Sequence, residues 1–166
     1  MSLLRRLTLS VALLLTLALP ALAGEPRAVV KSVFDDYVAR QDEAGRDRKA
    51  FLLRHQASFE PGFFALFAEV AGHSYDSGQA WFDFDPFLNA QMNAATHTVG
   101  KATLSKGLAY VPVSYSYRSP GPEQLGLRVV LKQVGGTWRI ANFAYPARDG
   151  MPAWDLKSWL REQTAH

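Results

Sequence analysis

Two carboxylates two residues apart, Asp83 and Asp85, are the side chains of this chain best spaced to do chemistry. On an extended segment that spacing turns both acids to one side and Phe82 and Phe84 to the other. Crowding like charges raises one pKa, which is how a carboxylate pair becomes a general acid and a general base. The same residues also have a structural use. Asp85 precedes Pro86, a common turn opener, and Asp83 can accept from backbone amides or pair with an arginine such as Arg128 or Arg139. A metal would need more ligands than this pair supplies, and the chain has neither a calcium-loop spacing nor a His-x-x-x-His motif. His55, His73 and His97 stand isolated, His166 is terminal, and no Gly-x-Ser-x-Gly elbow supports a serine nucleophile. There is no cysteine, which removes thiol nucleophiles, disulfides and thiolate metal sites together. No complete catalytic set, metal or cofactor is expected.

Around the two acids stand Trp81, Phe82, Phe84 and Phe87, too apolar to lie in water, so they should pin the stretch from His73 to Asn93 onto the domain as an ordered loop. Tyr110, Tyr115, Tyr117, Tyr145 and Trp138 place amphipathic rings along the later part of the chain, some as core and others as walls of a small-molecule pocket. The residues expected to touch a ligand are Trp81, Asp83, Asp85, Gln91, Arg128 and Tyr145.

The elements that must position these residues follow from periodicity. Val29, Val30, Val33, Phe34, Tyr37 and Val38 recur at helical spacing between Pro26 and about Glu43. A charged stretch, Gln41 to Lys49, should punctuate the chain before a short helix around Phe51 to His55. A third helix should open at Pro61, where the missing N–H costs nothing, and stop at Gly72. After Asn93 the texture becomes β-like, with strands expected at Thr96 to Leu104, Leu108 to Tyr117, Leu125 to Val134 and Thr137 to Tyr145. Turns at Ser105 to Gly107, Ser119 to Pro122 and Gly135-Gly136 would join them as an antiparallel meander. Pro112 cannot donate to a ladder, so its strand should be bulged or at an edge there. Trp154, Leu156, Trp159 and Leu160 mark a terminal amphipathic helix. Helices followed by a curved four-stranded antiparallel sheet make an α+β fold, closing as a cone with a pocket at one end.

Residues 1–23 have the form of a signal peptide. Arg5 and Arg6 precede an apolar run from Leu7 to Leu19, shorter than a spanning helix, and Pro20 to Ala23 supply a small-x-small cleavage pattern. Residues 24–166 should then form a single domain in the bacterial periplasm or outside the cell, with no membrane anchor. Removing Arg5 and Arg6 from the 18 basic residues leaves 16 against 15 acidic, a net charge of +1. That balance, with scattered cations, argues against a nucleic-acid partner.

The run Trp81-Phe82-Asp83-Phe84-Asp85-Pro86-Phe87-Leu88-Asn89-Ala90-Gln91, after Val30 to Tyr37 and before Gly136-Thr137-Trp138-Arg139-Ile140 to Tyr145, resembles the DUF3828 family of small bacterial exported domains. The resemblance implies an NTF2-like cone and an envelope location, and it implies no activity. The expected function is an exported binding or interaction module for an unknown small molecule or envelope protein, with homodimerisation through the open sheet face as an accompanying expectation. The alternatives are a small isomerase, dehydratase or hydrolase using Asp83 or Asp85 as base, and an immunity protein that blocks a secreted toxin.

Overall fold

In the computed structural model the described residues are 24–76, 82, 84–148 and 150–165. Five α-helices and one 3-10 turn accompany six strands: α1 Pro26–Ala39, α2 Gln41–Arg46, α3 Arg48–Arg54, the turn Gln56–Ser58, α4 Pro61–Asp76, β1 Thr96–Val99, β2 Thr103–Ser105, β3 Leu108–Ser116, β4 Gln124–Val134, β5 Thr137–Tyr145, β6 Trp154–Asp155 and α5 Leu156–Thr164. This is an α+β arrangement with an antiparallel open sheet ordered β1-β3-β4-β5-β6, and β2 lies beside β1 on the same flank of β3.

The sheet has six strands where the sequence suggested four, and both additions have local causes. The expected first strand, Thr96 to Leu104, is cut in two opposite Pro112. Gly100 N donates to the Pro112 carbonyl at 2.9 Å, so the missing Pro112 N–H faces that same flank and the ladder cannot continue through it. β1 therefore ends at Val99, paired with Val113, and β2 resumes at Thr103, paired with Tyr110. Pro112 itself lies inside the sheet, not at its edge, with Arg128 of β4 opposite; the strand bulges one residue later, between Val113 and Ser114. The sixth strand arises because Asp155 caps α5, its Oδ1 accepting from Ser158 N at 3.0 Å. The helix thus begins at Leu156, and Trp154, expected within it, instead pairs with Tyr145 of β5 and stacks on its ring.

The helical half departs from expectation in two places. The charged stretch from Gln41 is itself helical, as α2 and the start of α3, and α1 ends at Ala39. Helix α4 runs through Gly72 to Asp76, since an interior glycine costs a helix only about 1 kcal/mol against alanine and does not by itself end it. Its start is as expected: Pro61 opens it, and Glu60 caps it by accepting from Phe63 N at 2.8 Å.

The core lies between the helices and one sheet face. Val30, Val33, Phe34 and Tyr37 of α1 are all fully buried, as their spacing demands, against Val111 and Val113 of β3, Leu127, Val129 and Leu131 of β4, and Phe143 of β5. The alternate residues of the same strands, among them Tyr110, Pro112, Arg128 and Val130, point to the other face, half-exposed or exposed.

Side-chain contacts tie the elements together. Asp35 of α1 meets His97 of β1 at 2.9 Å, and Asp36 meets His55, at the C-terminal end of α3, at 2.8 Å. Glu60 bridges the two halves, meeting Lys132 of β4 at 3.0 Å and Lys157 of α5 at 3.4 Å. Burial alone would raise the Glu60 pKa, but the Lys132 hydrogen bond, the Phe63 amide and the Lys157 charge together hold it down at about 2. A carboxyl depressed in the folded state stabilises it above the unfolded value of 4.5, and that contribution disappears as pH falls toward 2. Glu60→Gln should therefore lower stability at neutral pH and flatten its fall between those two pH values. Urea titrations across that range check this, and an unchanged slope would remove Glu60 from the linkage.

Candidate functional site

The segment around the acid pair is inserted between the helices and the sheet as a plug. Trp81 and Asp83 lie outside the described residues, so the site is built from Phe82 and from Phe84 onward. Asp85 organises the turn. Its Oδ1 accepts from Phe87 N at 2.8 Å and Leu88 N at 3.1 Å. Its carbonyl accepts from Asn89 N at 2.7 Å, and its amide donates to the Ala90 carbonyl at 2.8 Å. Asn89, at φ +53°, occupies the left-handed conformation that closes such a turn, and its amide group donates to Gly126 O at 3.0 Å.

A turn buried this way strands its carbonyls from water, and an unmatched buried carbonyl is costly. Three tyrosines of the sheet supply the missing donors in sequence. Tyr145 of β5 donates to Pro86 O at 2.8 Å, Tyr115 of β3 to Phe87 O at 2.7 Å, and Tyr117 to Leu88 O at 2.9 Å. A fourth, Tyr37 of α1, donates to Asp85 Oδ2. Burial, reinforced by the Asp85 charge, pushes the hydroxyls of Tyr37, Tyr115 and Tyr145 above the ordinary phenol range, which favours their protonated, donating form. Gly126 makes room for one of them: a Cβ there would fall 2.4 Å from the Tyr115 ring.

Phe87 fills the hollow that the turn covers. Its ring is fully buried, stacks on Tyr37 at 4.2 Å and meets Phe51, Phe143 and Phe34 edge-on at 5.2–5.7 Å. Phe82 and Phe84 anchor the approach to the turn against Trp159 and Trp154. Beyond it, Gln41 of α2 holds Ala94 through two hydrogen bonds of 2.9 Å, and Asn93 donates to Asp42 at 2.6 Å.

Where this segment meets α2 and α3 a cleft of about 440 Å³ remains. Arg46, Arg48, Phe82, Phe84, Gln91 and Met92 are among its lining residues, and Met92 on its rim is 61 % exposed. Arg48 lies over the Phe82 ring, its guanidinium carbon 4.9 Å from the centroid and Nη2 3.9 Å from Asp85 Oδ2, with its buried Nε lacking a hydrogen-bond partner among the described residues.

The expected contact residues therefore separate. Asp85 and Gln91 line the cleft. Tyr145 is spent in the turn: its ring is buried and its hydroxyl engaged, so it presents nothing to a ligand. Arg128 stands exposed on the opposite sheet face, because alternation along β4 sends its neighbours Leu127 and Val129 into the core. The arginine beside Asp85 is Arg48, hidden at sequence level within a charged stretch, and the expected pairing of Asp83 with Arg128 or Arg139 lies outside the described residues. Both Asp85 oxygens accept hydrogen bonds from the fold, which leaves this carboxylate committed to the turn. His55 and His97 are engaged with α1 acids, the side chains of His73 and His166 lie outside the described residues, and no cluster of three or more metal-ligating side chains occurs among the described residues.

Phe87→Ala should cost about 3–5 kcal/mol, the range for a truncated core phenylalanine. Tyr115→Phe should cost about 1–3 kcal/mol, because it leaves the Phe87 carbonyl buried without a donor. Chemical denaturation checks both, and a Tyr115→Phe chain as stable as the parent would mean the carbonyl is satisfied elsewhere.

Compared with protein-family models, with curated proteins and with solved structures, the chain matches none.

Proposed function

We propose that this chain is an exported, non-catalytic binding module of the cell envelope, with the cleft between α2, α3 and the Phe82–Asn93 segment as its contact surface. Its likeness to DUF3828 domains and to the NTF2-like cone belongs to the same reading, resting on the residue runs quoted above and on the α+β arrangement of helices over an antiparallel sheet. In a cone-like closure, the hollow at the end of the sheet is where Phe87 sits. The chain fills its own hollow, and a ligand is left the cleft outside the plug.

The observation that carries the reading is the state of Asp85. Proton abstraction needs a carboxylate with a free lone pair facing a substrate. Here one oxygen accepts two backbone amides and the other accepts the Tyr37 hydroxyl, with Arg48 alongside. What the cleft offers instead is a mixed surface, apolar at Phe82, Phe84 and Met92 and charged in both senses at Arg46 and Asp42, of a volume within the usual range for small-molecule sites.

Gly45 gives a clean test. It lines the cleft from α2, and a Cβ at this position meets nothing within 4 Å, so Gly45→Trp fills the cleft without touching the core. Backbone amide resonances of Gln41, Ala90, Met92 and Asn93 should shift on titration with soluble cell-wall fragments, saturably, and the shifts should vanish in Gly45→Trp at unchanged melting temperature. Equal binding by Gly45→Trp, or no saturable shift with any fragment, would defeat the proposal.

A further inference from the structure

On the far side of α3 from the cleft lies a second concavity, unrelated to the acid pair. It is a groove of about 750 Å³ between α3, the 3-10 turn, the first turns of α4 and the end of the β4–β5 hairpin. Phe59, 2 % exposed, forms its floor, and Phe64 and Val134 its walls. Leu53 stands on its lip, 53 % exposed, where α3 turns a large aliphatic side chain away from the core. A surface leucine alone is ordinary; a leucine completing a groove with a phenylalanine floor is an apolar slot open to water.

The charge around the slot is one-sided. Among the described residues its ionic lining is two arginines, Arg54 and Arg139, with no acid. Arg54 is already satisfied by Glu43 at 2.9 Å and Asp36 at 3.4 Å. Arg139 is not: among the described residues no hydrogen bond or ion pair holds its guanidinium. The nearby acid, Glu60, is taken by Lys132 and Lys157. An apolar slot with one uncommitted guanidinium at its edge is complementary to an apolar tail that ends in an acid, since a planar guanidinium grips a carboxylate with two parallel hydrogen bonds. A cationic segment, such as the Arg5-Arg6 end of the leader, would meet like charge there.

We propose that this groove binds a single-chain acyl carboxylate, its tail along Phe59, Phe64, Leu53 and Val134 and its head on Arg139. The proposal is independent of the cleft beside Asp85.

Laurate below its micellar concentration is the probe, followed by calorimetry and by amide shifts. Laurate should bind saturably and shift Leu53, Ala65 and Val134. Arg139→Glu should weaken it about tenfold or more, the scale of one lost charge-assisted contact. Arg139→Gln, which removes the charge without reversing it, should weaken it less. Ala65→Trp, a substitution at an exposed α4 position of the groove, should abolish binding, whereas Gly45→Trp should leave it intact. Dodecyltrimethylammonium, with the same tail and a cationic head, should not saturate the site. The proposal is overturned if laurate fails to saturate, if the cationic amphiphile binds as tightly, or if Arg139→Glu binds laurate like the parent while melting at the same temperature.

Discussion

Three consecutive backbone carbonyls, Pro86 to Leu88, are buried against a β-sheet without a strand to pair with, and three tyrosine hydroxyls of that sheet satisfy them. Much else in the domain follows from this constraint. Loops run over protein surfaces because their polar backbone needs water; one that enters a core must have every such group matched. Asp85 matches the amides of the turn, the tyrosines match its carbonyls, and the reward is the position of Phe87, whose ring joins α1, α3, α4 and β5 in one aromatic cluster.

The same constraint relocates function. A carboxylate pair in an aromatic pocket suggests acid–base chemistry, but Asp85 gives three of its four lone-pair sites to hydrogen bonds that hold the turn. Phe87 occupies the space between the turn, α1 and the sheet. Two concavities outside the plug differ in character: the cleft beside Arg48 is polar, with arginines and aspartates over an aromatic base, while the groove at Phe59 is apolar with arginines at its rim. Each is bordered by α3, whose two ends contribute Arg48 to one and Leu53 to the other.

What could be read from residues alone was whatever depends on neighbours in sequence. The α1 stripe from Val30 to Tyr37, the Pro61 start of α4, the two-glycine hairpin and the alternation of β4 are all local signals, and each appears in the fold. So does the burial of Phe82 and Phe87, because aromatic rings of that density have nowhere else to go. Pro112 shows the limit. Its missing donor was evident, but the result fell on another strand, splitting β1 from β2. At Trp154 the apolar period runs on past the cap and predicts helix where the chain forms β6. The chemical type of Tyr145 and Arg128 suggests ligand contact, while their roles depend on which side of the sheet they face and which carbonyl lies within reach, and that is settled by a bulged, non-local register. Arg48 gave no signal at all within a run of charges.

Native-state amide hydrogen exchange at Phe87, Leu88 and Asn89 tests the buried-plug account most directly. If the turn is part of the core, these amides exchange only through the opening that also exposes Val129 and Leu131 of β4, with protection close to theirs. Exchange at the rate of a surface loop, with β4 still protected, would contradict the account.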